Sequence, residues 1–406
     1  MDFFRELGLS ILERWRRADL DARAFPDIAA AALQDRPPSA HVDPMDVIRW
    51  VHEAPMLATQ TDVTAKFGQP PITVFHCEKF YIDVLFWVDG ATAIHQHGFS
   101  GAFHVMRGSS IESTFRFQPR RRYSESLMTG DLTLQGVALR EKGEVAPIVA
   151  GVGFVHSLFH LDRPSVSVVV RTPSDALAGP QYSYSHAGLA FEPFARSDVL
   201  DRRLQTLELL RKLDSPEFEP LAAASVRQAD AFLAFRLLTA LATRIQPHEK
   251  YLAFLRGVKP AHAELVDALL VHAELERRDR HIISRRQLAT LPDHRFFLAL
   301  LLNLEDRAGI FEMVRRARPA LAPAEAIVGW LSDFQKLDAI NAWVTEVAKT
   351  KPAPILDVPM DETSLRVVRD LLDGRGDEPA SPEVAERRAT IRSSSLLRPL
   401  FIEAKR

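Results

Sequence analysis

The sequence predicts an α+β multidomain protein: a small β-barrel flanked by an N-terminal helical segment and an all-α C-terminal domain. Three observations carry this. Apolar residues recur at helical spacing near the N-terminus. About a hundred residues from position 70 onward are short runs rich in Val, Ile, Phe and Thr, broken by Gly, Asp, Pro and Ser. From about 195 amphipathic helical units return. The boundaries read as 1–60, 61–190, 191–375 and a tail with a terminal helix at 376–406.

In the first zone Phe3, Phe4, Leu7, Ile11, Leu12 and Trp15 fall on one helix face, and Asp43-Pro44 reads as the cap of a second helix. The pair Pro37-Pro38 separates the two. In the second zone ITVFHCEKF, YIDVLFWV, GAFHVM, IESTFRF, DLTLQGVAL, GEVAPIVA and SVSVVVRT each read as one strand. Six or more strands with no helix between them predict a sandwich or barrel. In the third zone segments such as LDRRLQTLELLRKL, HAELVDALLVHAELERR and HRFFLALLLNL each read as one amphipathic helix. Stacked pairs or a bundle would follow, and the expected role is packing, oligomerisation or partner binding. The stretch Arg120-Arg121-Arg122 reads as a solvated loop.

Composition narrows the function classes. A net charge of -2 argues against nucleic acid or an anionic membrane as partner. Cys77 is the single cysteine, which removes disulfides within the chain and Cys-based zinc sites. No apolar run reaches the roughly 18 residues of a membrane span, and the N-terminus lacks the pattern of a signal peptide. A cytoplasmic protein is the expectation.

The chemistry is concentrated in histidines. His95-x-His97 ends an apolar run and is followed by a glycine-rich turn. His156 comes about sixty residues later, after Gly151 and Gly153 and before a β-branched strand. Side chains two apart on a strand share a face, so His95 and His97 would both point into a small barrel. A neighbouring strand carrying His156 would complete one face of an octahedron. Such facial sites with open positions suit Fe(II).

At these residues the sequence resembles the cupin superfamily. Its first motif, G-x5-H-x-H-x3/4-E-x6-G, matches His95, His97, Gly101 and Gly108 in register, with Gly101 where the metal-binding Glu would stand. Its second, G-x5-P-x-G-x2-H-x3-N, matches Gly153, His156 and His160, with Gly151 at the Pro position and His160 at the Asn position. Three His without the Glu is the pattern of the cysteine dioxygenase-like thiol dioxygenases. The resemblance covers about residues 70–175, roughly a quarter of the chain. It implies that His95, His97 and His156 ligate iron. The family's substrate-holding Arg has no counterpart in FGQPPITV, and its outer His and Tyr fall near Arg171 and Pro173. The Cys that some members cross-link falls near Ala102.

A replacement anchor can be read from strand parity. Residues 165, 167, 169 and 171 share one face of SVSVVVR, and the valines 166, 168 and 170 share the other. With the Ser face inward, Arg171 would grip a substrate carboxylate. His104 and His160 are the candidate acid/base or ligand-supporting groups. The expected activity is a mononuclear non-haem iron oxygenase, thiol dioxygenase-like. It would act with O2 on a small or peptide-borne anionic substrate carrying a thiol or carboxylate. Two alternatives stand beside it: a non-catalytic sensing or scaffold protein whose helices bind a partner or a second copy, and a Zn or Ni enzyme on the same ligands.

Overall fold

A computed structural model describes residues 1–403 except 62, 64–66, 89, 176–177, 287, 349–354 and 377, with only the backbone given at 340–348. Four helices open the chain: α1 (Asp2–Arg17), α2 (Phe25–Asp35), α3 (Pro38–His41) and α4 (Pro44–Glu53). Asp43 caps α4, its carboxylate accepting the Met45 N–H at 2.8 Å. Phe4, Leu7, Ile11 and Trp15 of α1 are buried, as the helical spacing requires.

Eleven strands follow: β1 (Pro71–His76), β2 (Tyr81–Trp87), β3 (Ile94–His97), β4 (Gly101–Arg107), β5 (Ser110–Ser124), β6 (Leu127–Arg140), β7 (Val145–Ile148), β8 (Gly151–His160), β9 (Ser165–Arg171), β10 (Ser183–Ser185) and β11 (Leu189–Phe191). They form a five-stranded sheet in the order β1-β2-β9-β4-β7 and a closed barrel in the order β10-β11-β6-β5-β8-β3. Closure of the six-stranded ring depends on β10, which pairs with both β3 and β11. These last two strands, of three residues each, are too short to show a period in the sequence. The Arg120–Arg122 run, expected in a loop, lies within β5, in the part of the hairpin with β6 that is exposed.

Strand parity sorts the core. Val166, Val168 and Val170 of β9 pack with Ile82, Val84 and Phe86 of β2 against the N-terminal helices. The opposite face of the same strands carries Leu85, Trp87 and Val169 into a second cluster with Phe99, Phe103 and Val105. Within the ring, Ile94, Phe115, Phe117, Met128, Val155, Tyr184 and Ala190 pack together.

The remaining helices are α5 (Asp198–Lys212), α6 (Phe218–Gln228), α7 (Ala231–Leu241), α8 (His248–Val258), α9 (Ala263–Arg285), α10 (Pro292–Asn303), α11 (Arg307–Ala317), α12 (Pro323–Ala348), α13 (Glu362–Leu372) and α14 (Pro382–Ser393). They pack in two cores: α5 to α9 with Leu127 and Leu189 of the ring, and α9 onward with Ile111, Phe159 and Leu161. The helix α10 is not amphipathic as expected. Every residue from His294 to Leu301 is buried, because neighbours cover it on all sides. Among the described residues no helix is long and apolar enough to cross a membrane.

Arginines tie the helices to the end of β8. Arg286, just past α9, is 2% exposed and donates to three backbone carbonyls: His160 at 2.8 Å, Val88 at 3.3 Å and Asp162 at 3.3 Å. Arg295 of α10 donates to the Leu161 carbonyl at 2.9 Å. Removing Arg286 would break three hydrogen bonds, one of them to the buried His160 carbonyl. Arg286→Met is therefore expected to lower unfolding stability by about 3 kcal/mol, measured by urea denaturation.

Candidate metal centre

His95 and His97 sit on one face of β3, and His156 sits opposite His95 on β8. A bulge after Gln96 shifts the register so that His97 faces Gly151, a residue at φ +71° that a side chain would strain. All three rings are nearly buried, at 6%, 4% and 3% exposure. They face the five-stranded sheet, across a cavity of about 40 Å³ that is also lined by Asp83, Trp87, Phe99, Phe103 and Arg171. The site thus lies between the ring and the sheet, not at the centre of the ring, which apolar side chains fill.

Hydrogen bonds fix which nitrogens remain for a ligand. His95 Nδ1 lies 2.8 Å from the Ala93 carbonyl, so Nδ1 carries the proton and the buried Nε2 keeps its lone pair. His156 Nδ1 donates to the Glu112 carboxylate at 2.8 Å, which leaves its Nε2 lone pair inward. His97 Nε2 and His156 Nε2 lie 3.0 Å apart. One ligand atom from each of the three histidines falls within 4.8 Å of the others. Two nitrogens each about 2.1 Å from one cation lie about 3.0 Å apart at a right angle and about 3.4 Å apart at the tetrahedral angle. The closeness of the three rings and the inward Nε2 atoms of His95 and His156 suit a divalent ion. Among the described residues this is the one cluster of three or more potential ligands.

Electrostatics favour neutral imidazoles. Burial, and then the neighbouring His156, push the His95 pKa down to about 3. Burial, the two other histidines and Arg171 hold His97 well below its ordinary value. Metal ligation requires the neutral ring, so these shifts reduce competition from protons.

Glu112, on β5, was not anticipated from the sequence. It is 1% exposed and bridges His156 to Arg140, whose Nε lies 2.8 Å away. Burial pushes its pKa up, but the His156 hydrogen bond and the Arg140 charge outweigh this and hold the carboxyl below its usual range. The pairing β5–β8 that brings Glu112 to His156 links residues 44 apart. Only its parity with the buried face of IESTF would have hinted at the role.

Gly101 explains the missing carboxylate ligand. A Cβ at this position would come within 1.9 Å of the Val170 carbonyl oxygen. The backbone excludes any side chain where the motif places Glu.

The other expected site residues separate. Arg171 lines the cavity, with Cζ 3.9 Å from the Phe99 ring centroid and 5.2 Å from that of Tyr81. His160 shares the inward face of β8 with His156 but stands behind the cavity. Its ring stacks on Trp87 at 4.5 Å and its Nδ1 meets Ser110 Oγ at 2.8 Å. His104 is not at the site. Phe103 and Val105 take the inward face of β4, so His104 turns outward to the helices, where its Nε2 accepts the Ser39 N–H at 3.2 Å. Cys77 is half-buried, with Sγ donating to the Phe80 carbonyl at 3.3 Å.

No family model matches, and no curated protein matches. Solved structures do. One is a cupin-2 domain protein from Shewanella frigidimarina, 14% identical over 27% of this chain and 86% of that one, at a TM-score of 0.18. Another is a hydroquinone 1,2-dioxygenase from Sphingomonas sp. TTNP3, 12% identical over 28% and 72%, at 0.22. A third is a conserved protein with a double-stranded β-helix domain from Klebsiella pneumoniae, 19% identical over 33% and 96%, at 0.19.

His104 gives a pH test. Burial, and then Lys142, push its pKa down to about 4. Between about pH 6.5 and 4 the unfolded chain binds a proton at this residue that the folded chain refuses. Its contribution is complete above about pH 6.5 and is lost as pH falls toward 4. At pH 5 the loss is about 2 kcal/mol, and His104→Gln is expected to flatten the pH dependence of the unfolding free energy by that amount, measured by urea denaturation across this range.

Proposed function

We propose that the protein is a mononuclear, metal-dependent oxygenase acting on a small anionic substrate. His95, His97 and His156 would hold the ion, Fe(II) in the first instance. The observation that carries the reading is the convergence of three buried imidazoles beside Arg171 in one cavity. A redox-active divalent ion held by three neutral ligands would keep its full charge and supply the O2 chemistry.

The chain's own residues would do the rest. Glu112 fixes the His156 tautomer and adds negative charge one bond away from the ligand set. Arg171, braced by Phe99 and Tyr81, would hold the substrate anion within reach of the three rings. Phe99, Phe103 and Trp87 would exclude water from the reacting atoms. The cavity volume of about 40 Å³ equals about three waters' worth of space. It favours a small molecule over a peptide.

Two measurements check this. Titration of metal-free protein with Fe(II) under anaerobic conditions should give one ion per chain. Glu112→Gln should weaken it by about 10- to 100-fold, and His95→Ala should abolish it. Iron-loaded protein should then consume O2 in the presence of a small thiol or carboxylate, followed with an oxygen electrode. Arg171→Met should raise KM by about 10- to 100-fold with a smaller change in kcat. Zinc or nickel bound in the purified protein, with no O2 uptake after iron exchange, would overturn the oxygenase reading.

A further inference from the structure

Three buried side-chain nitrogens without a hydrogen-bond partner among the described residues belong to residues that line the same cavity: His95 Nε2, Arg171 Nε and Trp87 Nε1. The first is a lone pair that suits a cation. The other two are N–H donors, and a buried donor left unpaired is costly. Arg171 and Trp87 lie at opposite ends of the inward face of the β2–β9 pair: Tyr81 pairs with Arg171 at one end and Trp87 with Ser165 at the other. The wall between them carries Leu85 and Val169 on these two strands, with Asp83 and Ser167 on the same face.

The indole is fixed in place. His160 stacks on it at an interplanar angle of 16°, and Ser110 holds His160 in turn. The Cε3 edge faces Gly90, where an added Cβ would come within 3.1 Å. The Nε1 edge is the opposite one. Phe67, 42% exposed, packs across the indole at 89° and lies 6.1 Å from the His95 ring, which puts the indole beside the three histidines. A donor held this rigidly needs no ordering when a ligand arrives.

We propose that Trp87 is a specificity-determining residue, whose Nε1–H receives a second oxygen of a substrate whose anionic end is held by Arg171. The substrate class is a small oxo- or hydroxy-carboxylate: an acid group, a short apolar body and one further hydrogen-bond acceptor. The inference rests on the anion-anchoring part of the proposed function, and its test does not need the metal.

Protein labelled with 15N-tryptophan has five indole N–H groups, and the Trp87 resonance is the one missing from Trp87→Phe. Full-length protein in excess EDTA is titrated with two matched pairs of probes, propionate against pyruvate and valerate against 4-oxopentanoate. EDTA removes chelation of a cation as a source of any difference. In at least one pair the oxo acid is expected to bind about tenfold tighter, the worth of one hydrogen bond. The Trp87 resonance should move with the oxo acid alone. Trp87→Phe should make the pair equal, and Arg171→Met should weaken all four acids. Should Trp87→Phe fail to fold, Trp87→Tyr supplies the assignment of the resonance and the comparison of affinity ratios in its place. Equal affinities in both pairs, or a ratio that persists in Trp87→Phe, would overturn the inference. Failure to bind Fe(II) in the separate titration would remove the oxygenase reading and leave this ratio untouched.

Discussion

Three imidazoles are held close together in a buried space, and the rest of the site is arranged around that constraint. Burying polar rings face to face is costly unless their hydrogen-bonding atoms are satisfied. Here the outer nitrogens of His95 and His156 are paired, with the Ala93 carbonyl and with Glu112. The inner nitrogens are left to one another and to whatever enters the cavity. Backbone pairing enforces the approach, since His95 and His156 are direct partners across β3 and β8. The bulge at His97 supplies the offset that lets a third ring converge instead of stacking behind the first.

The helices act on this site through the frame. Sheet and ring each bury their outer faces against helices, so the space between them is set by packing on both sides. Arg286 and Arg295 hold the turn after β8 by its carbonyls, at the end of the strand that carries His156. The cavity is small because Trp87, Phe99 and Phe103 crowd it, and the same rings lower the local dielectric around Arg171 and the histidines. Charge is therefore the scarce resource inside. Arg171 and Asp83 stand at the cavity wall, while Glu112 sits one residue further out, neutralised in part by Arg140.

Much of this was legible from period-two patterns. The alternation in SVSVVVR separated the valines from Arg171 without saying which face is inward; the structure turns the valines to the N-terminal helices and Arg171 to the cavity. The spacing of His95, His97 and His156 was enough to bring them together. Parity fails where either face is plausible. GAFHVM offers His104 to one side and Phe103 with Val105 to the other, and only the N-terminal helices decide which side is outward. Glu112 was invisible because its partner lies on a strand paired at long range. The short strands β10 and β11 carry no pattern at all, yet they close the ring. Gly101 was read as a lost ligand, but the reason, a carbonyl where a side chain would stand, belongs to the fold.

The most direct test of the central claim is X-ray absorption at the iron edge of the anaerobically loaded protein. The account predicts one iron per chain with three imidazole nitrogens at about 2.1 Å and oxygen donors in the remaining positions. An iron with fewer than three imidazoles, or protein that takes up no ion at all, would contradict it.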